Sequence, residues 1–273
     1  MESNKCKNCE SPLNGKFCSS CGQKVYSEKD KSIRNLFHEA FHFMTHFEGK
    51  FFNTLKTIYR YPGKLSLDYS NGIRQRYYKP ISLYLLIVVL YLLFPIASGM
   101  NVEMKYHKSN PIFGKYISHQ IEDRLIYDNI TEEQLSEKFY KKSKTTSKFL
   151  LLLLIPFSAP ILYLLYLNKR RYLFDNFILL TEINIFFLLS FFILVPIAFL
   201  PFLYFFDISI GDRFFAPLTI ILFSFYCVFL FSKVFQEKWW ISILKGTIFG
   251  LLFLFMINTI YKTIVFEITF ALI

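Results

Sequence analysis

Acidic residues are scarce in this sequence: 20 Asp and Glu stand against 31 Lys and Arg, a formal net charge of +11. The imbalance says nothing about fold, but it points to contact with something anionic, either lipid headgroups or nucleic acid. No glycine-rich phosphate loop, internal repeat or low-complexity tract is present, so a phosphate-cradling turn or a repeat architecture has no carrier. No nucleophile elbow or His–Glu–His helix accompanies the polar residues of the apolar stretches, and catalysis therefore lacks a constellation. The first eighty residues lack a short apolar core followed by small residues at a cleavage site. The first membrane run is accordingly expected to act as an uncleaved anchor.

What the chain has in excess is apolar surface. Of its 273 residues, 53% are hydrophobic and 34 are Phe, more than a soluble core of this size needs. Long apolar runs near 81–98, 148–167, 185–206, 214–232 and 241–261 predict an all-α integral membrane helix bundle of about five transmembrane helices. Pro156, Pro160, Pro196, Pro201 and Pro217 fall in or at these runs. Proline at that depth needs neighbouring helices to satisfy the freed carbonyls, which argues for a packed bundle. Cys227 reads as a small buried hydrophobe.

Positive charge in short loops orients the bundle. Lys169, Arg170 and Arg171 lie in one loop and Lys233 and Lys238 in another, whereas Asp207 and Asp212 face a single Arg213 in a third. Alternating these places the chain in the cell inner (plasma) membrane as a multi-pass protein, N-terminus cytoplasmic and C-terminus outside. The nearly charge-balanced loop near 99–147 is then extracytoplasmic. Within it, Thr131 and Gln134 form a capping-box pattern that starts a short amphipathic helix. Glu182, Asn184, Lys245, Lys262 and Glu267 are the polar groups in or beside the spans. They read as functional suspects or as interfacial, snorkelling side chains.

Cysteine is used in one place above all. Cys6-x2-Cys9 and Cys18-x2-Cys21 make two knuckles that open the chain. Zinc favours four soft ligands in a tetrahedron, and two such turns supply them with little strain. Gly22 can let its turn enter positive φ, and Gly15 can reverse the linker between the knuckles. So short a segment cannot bury a sufficient core, so bound Zn2+ is expected to supply its folding energy. The competing reading is two disulfides in an oxidising compartment; the inferred cytoplasmic location favours zinc. Four cysteine ligands leave no open position, so the site is structural. The expected organisation is a zinc ribbon over 1–26, an amphipathic and basic juxtamembrane segment over 27–80 and the transmembrane domain over 81–273.

From Ile33 to Tyr59 apolar residues recur at helical spacing, with Phe37, Phe41, Met44, Phe47 and Phe51 on one stripe. The expectation is a surface-lying helix held by its aromatic stripe; packing on the protein's own spans or on a partner is the rival. His38, His42 and His46 fall on the opposite face at i, i+4 and i+8, as wetted residues, a metal pair or a mild pH sensor. Behind this segment Arg60, Lys64, Arg74, Arg76 and Lys79 precede the first span, with Tyr77 and Tyr78 at interface height. They are candidates for binding anionic lipid or a partner as well as for ordinary topology determination.

These motifs resemble a family of bacterial multi-pass membrane proteins known as domain of unknown function 3667. The resemblance is carried by Cys6, Cys9, Cys18, Cys21, Gly22, Gln23 and Lys24, and then by Pro62, Gly63, Lys64, Tyr69, Gly72, Arg74, Tyr77 and Pro80. His46-Phe-Glu48-Gly49 is similar to a further family segment, and Glu10 stands where a knuckle glycine often falls. The family has no assigned activity, so the resemblance implies an N-terminal zinc ribbon joined to a membrane bundle and little more. Three functions compete. The first is a non-enzymatic scaffold or sensor that docks a cytoplasmic protein partner. The second is a transporter, channel or lipid-handling bundle regulated by the ribbon. The third is a membrane enzyme acting on lipid, for which clustered intramembrane acids and histidines are missing. Nucleic-acid binding is disfavoured, because Lys5, Lys7, Lys16 and Lys24 lack interleaved aromatics beyond Phe17 and Tyr26.

Overall fold

The computed structural model describes residues 5, 6, 9–12, 15, 17–21, 49–93, 103–167, 169, 173–198 and 212–273, and only the backbone of 92 and 212–216. The chain forms two compact units, Met1–Lys50 and Phe51–Ile273. The first shows the cysteine knuckles and an isolated antiparallel bridge between Lys5 and Pro12. The second is built of helices joined by turns over its described residues. The histidine series, Gly22 and the stripe before residue 49 lie outside the described residues, as do Arg170, Arg171 and Asp207.

The larger unit runs as α1 (described over 49–60), α2 (Lys64–Ser70), α3 (Pro80–Leu93), α4 (Met104–Lys108), α5 (Gly114–Asp128) and α6 (Glu132–Phe149). A 3-10 segment, Leu150–Leu153, joins α6 to α7 (Leu154–Leu165). Then come α8 (Leu173–Leu189), α9 (Asp212–Phe235), α10 (Trp239–Met256) and α11 (Lys262–Ala271). A π-turn at Ser190–Leu194 extends α8, and another at Ile257–Tyr261 joins α10 to α11.

Among the described residues, four helical runs are long and apolar enough to cross a membrane: Glu132–Leu165, Leu173–Ala198, Pro217–Phe235 and Trp239–Ala271. The sequence led us to expect about five. The fifth candidate, Pro80–Tyr91, is a shorter apolar helix. The 14 described residues of α3 rise about 21 Å of a hydrocarbon core of about 30 Å, and positions 94–98 of the expected run lie outside the described residues. The run expected near 185–206 begins instead at Leu173, because Asp175 and Asn176 sit in the first turn and do not break the helix.

Two of the runs overshoot a bilayer. The 34 and 33 residues of Glu132–Leu165 and Trp239–Ala271 each rise about 50 Å. The excess of both lies at one end, where Phe139 of α6 packs on Phe266 of α11, ring centroids 5.4 Å apart. Met104, Ile117, Ile121 and Leu135 complete this second core. The segment read as a loop is therefore a helical cap. Asn110 anchors it: its Oδ1 accepts from the backbone N–H of Ile112 and Phe113, while its Nδ2 donates to the Thr259 carbonyl and Thr263 hydroxyl. The capping box forms as expected, with Thr131 and Gln134 exchanging side chain–backbone bonds, but the helix it starts runs on into a span.

The main core centres on α8, whose residues Ile178–Ile185 are all buried. Helices α2, α3 and α7 pack on it. Phenylalanine fills the middle: Phe187, Phe223 and Phe253 meet pairwise at 4.9–5.3 Å, separations at which edge-to-face ring contacts are favourable. Helices α9 and α10 approach most closely where Ser242, Gly246 and Gly250 recur every fourth residue. A Cβ on Gly246 would lie 2.7 Å from the Val228 backbone, and one on Gly250 2.5 Å from Ser224 Oγ. Small residues at that spacing let two spans meet backbone to backbone.

The end opposite the cap gathers the basic loops. Lys245 Nζ lies 3.1 Å from Glu237 Oε1, Lys169 Nζ donates to the Phe235 carbonyl, and Tyr166 stacks on Phe235 at 3.6 Å. Helix α2 reaches the same end, since Gly63 abuts Leu230 and Val234 of α9.

Candidate functional site

Two sites stand out, one in each unit. In the smaller unit the sulfurs of Cys6, Cys9, Cys18 and Cys21 all lie within 4.8 Å of one another. Cys6 Sγ is 3.6 Å from Cys21 Sγ, and Cys9 Sγ 3.5 Å from Cys18 Sγ. A disulfide would need about 2.05 Å, whereas four thiolates about 2.3 Å from a tetrahedral ion are spaced about 3.8 Å apart. The four cysteines can thus hold a metal ion. The first knuckle is built by its backbone: the Glu10 N–H donates to the Cys6 carbonyl, and the Cys6 N–H to the Ser11 carbonyl. Glu10 takes φ 59 to close that turn, a conformation that glycine adopts more freely. Hydrogen bonding by Ser11, first through its side chain and then its backbone, holds the Cys9 thiol down to about 6. A thiol so lowered is largely thiolate at neutral pH, the form that binds metal.

In the larger unit, the basic juxtamembrane segment is an ordered structure built on a carboxylate. Glu182 of α8 is completely buried. Its Oε1 accepts from the Gly63 N–H at 2.8 Å and its Oε2 from the Ser66 N–H at 2.9 Å and from the Ser66 hydroxyl. An anion among the free N–H groups of a helix start is well placed. The glycine is required here on two counts: φ is 81, and a Cβ would sit 2.7 Å from Val234 and 2.9 Å from the Leu230 carbonyl. The chain then turns through Gly72, where the Ile73 N–H returns to the Asp68 carbonyl. Tyr77 donates to Asp68 Oδ2 at 2.5 Å and packs beside Tyr69. Burial, and next the Asp68 carboxylate, push the Tyr77 phenol up to about 12. Helix α1 clamps the loop after α2: Asn53 donates to the Arg76 carbonyl, and the Thr54 hydroxyl accepts from the Tyr78 N–H.

The five basic candidates are all exposed, and none makes an ion pair with a described residue. Arg74 lies over the rings of Phe174 and Tyr69, at 5.0 and 5.9 Å, and so works as a strut between α8 and the loop. Lys64 lies over Tyr61 at 5.3 Å. Arg60, Arg76 and Lys79 present their charges outward. Within the described part of the apolar stripe, Ile58 is buried and Phe51 and Leu55 pack on the main core. Over those residues the stripe therefore meets the protein's own helices.

The suspected intramembrane polar groups have partners, while Asn184 Oδ1 and Glu267 Oε1 are buried without one. Asn184 donates to the Leu180 carbonyl and to Ser158, Lys262 to Asn258, and Gln120 to Glu267. Glu182 had read as an interfacial or a functional residue. The sequence carries no local sign of its role, because its partners lie 116 to 119 positions away.

The family model described as a protein of unknown function (DUF3667) matches residues 48–92. That stretch spans α1, α2 and nearly all of α3, the segment that carries the Pro62–Pro80 signature and rests on Glu182. No curated protein and no solved structure matches the chain.

Proposed function

We propose that this is a bacterial inner-membrane protein that acts as a scaffold or sensor rather than an enzyme. Its N-terminal cysteine module is a structural Zn2+ ribbon in the cytoplasm that docks a protein partner, and the helix bundle anchors it. The observation that carries this reading is the closed donor set. Four cysteine sulfurs surround one point, and none of the positions is left for water or substrate. Two buried polar groups of α8 support it, because Glu182 binds the start of α2 and Asn184 donates to Ser158 of α7, so both join helices. The basic end of the bundle, with Lys169, Lys233, Lys238 and the Arg60–Lys79 cluster, supports a cytoplasmic N-terminal side.

The test uses the full chain purified from its native membrane. Zinc should be present at about one ion per chain and be lost in Cys18→Ser. A defined partner protein should co-purify with the wild type and be absent from Cys18→Ser while the bundle stays folded. Full zinc retention in that variant, or an unchanged set of associated proteins, would overturn the proposal.

A further inference from the structure

The larger unit contains an apolar groove that the scaffold reading does not use. It has a volume of about 550 Å³, within the roughly 300–1,000 Å³ typical of small-molecule sites. Tyr59 and Pro62 close one end, the π-turn of α8 contributes Ser190 and Leu194, and α9 contributes Phe225 and Phe229. Leu194, Phe225 and Phe229 are all well exposed, so the groove opens sideways, toward the zone where bilayer chains would lie. Its floor is firm: Phe186 stacks on Tyr226 at 3.6 Å with the rings 2° from parallel.

Three features make it more than an uncovered apolar face. A π-turn displaces one residue of a helix outward, and such turns gather at functional sites; here it places Ser190 and Leu194 in the wall. The Tyr59 and Ser190 hydroxyls bond each other at 2.8 Å. Beyond the closed end, Arg60 follows Tyr59 and Lys64 follows Pro62 by two residues. Both are exposed and neither pairs with a described carboxylate.

We propose that this groove binds one acyl chain of an anionic glycerophospholipid. The chain lies along Leu194, Phe225 and Phe229. Its headgroup meets Arg60 and Lys64. The site is independent of the cysteine module, so its failure would leave the scaffold reading standing.

Photolabelling of the full chain in nanodiscs tests the proposal. The discs are phosphatidylcholine doped with phosphatidylglycerol whose acyl chain carries a diazirine, or with phosphatidylcholine carrying the same chain. Adducts should concentrate on residues 186–198 and 222–229, several-fold above the exposed lipid-facing stretch 251–260. The phosphatidylglycerol probe should exceed the phosphatidylcholine probe by about thirtyfold, the preference that two surface cations give an anionic headgroup. Leu194→Trp, which fills the groove from an exposed position, should remove most of the adducts. Arg60→Gln with Lys64→Gln should abolish the headgroup preference. Uniform labelling, equal labelling by the two probes, or a Leu194→Trp protein that labels as the wild type would overturn the assignment. So would a Phe225→Cys protein that forms a disulfide dimer, which would give the groove to a second copy of the chain.

Discussion

The cysteine module and the α2 segment face the same difficulty and answer it with opposite charges. Each is too short to fold on buried apolar surface alone. In the module, sulfur ligands converge and call for a cation that must come from outside. At α2, backbone N–H groups converge on an anion that the chain supplies itself, the Glu182 carboxylate. The first arrangement can be taken apart by a chelator, because its keystone is diffusible. The second cannot, because its keystone is covalently part of a neighbouring helix. A metal-held module can therefore respond to the composition of its surroundings, while the Glu182-held segment responds only to movement of α8 relative to α2.

Several experiments would break or sharpen that contrast. The largest effect should come from metal removal. Chelation, or Cys18→Ser, should unfold the module, since structural zinc contributes about 10–16 kcal/mol in small domains at neutral pH. Hydrogen exchange should show residues 5–21 losing protection while the bundle keeps its own. Protection that survives chelation would place the module with self-sufficient folds. Next comes Glu182→Ala, which strands three buried donors and should destabilise the bundle by roughly 3–5 kcal/mol. Glu182→Gln should fall between it and the wild type, because its amide turns one acceptor into a donor that faces another donor. Thermal unfolding in detergent measures both, and melting curves that overlay the wild type would remove the carboxylate from its role. Gly63→Ala should cost roughly 2–3 kcal/mol through its positive φ, with the clash against Val234 and Leu230 adding to that. Tyr77→Phe should cost about 1 kcal/mol, the ordinary value of one hydrogen bond. A Tyr77→Phe loss as large as that of Gly63→Ala would show that the Tyr77–Asp68 contact sets the loop.

The sequence exposes the two sites unequally. The cysteine cluster is legible because its ligands are local: two knuckles within sixteen positions, Cys6 to Cys21, state the geometry themselves. The helical class and the starts of the last two spans follow from long apolar runs, and Thr131 with Gln134 marks a helix start within four residues. Glu182 is illegible because it stands in the sequence among Thr181, Ile183 and Asn184, while its partners belong to another helix. The cap was hidden for a related reason. The change from the polar α6 to the apolar α7 looks like a boundary between loop and span, yet the backbone crosses it with only a 3-10 tightening at Leu150–Leu153. Arg74 shows the limit of reading charge alone. It counts toward a basic patch, but its guanidinium lies over two rings.

The π-turn at Ile257–Tyr261 bears on how this chain can change length. Before it, the buried residues of α10 include Gly246, Phe249, Gly250, Phe253 and Met256; after it they include Tyr261, Val265, Phe266 and Thr269. An uninterrupted helix of 3.6 residues per turn would carry the first series on to positions 260, 264 and 268. Two of those are Ile260 and Ile268, and both are exposed. The turn therefore absorbs one surplus residue without rotating α11. Deleting a single residue there would leave a regular helix that still aims Phe266 at the cap. The same deletion between Gly246 and Gly250 would turn everything downstream by about 100°. Loss of one codon is thus tolerable at this place in the last helix and ruinous a few turns earlier.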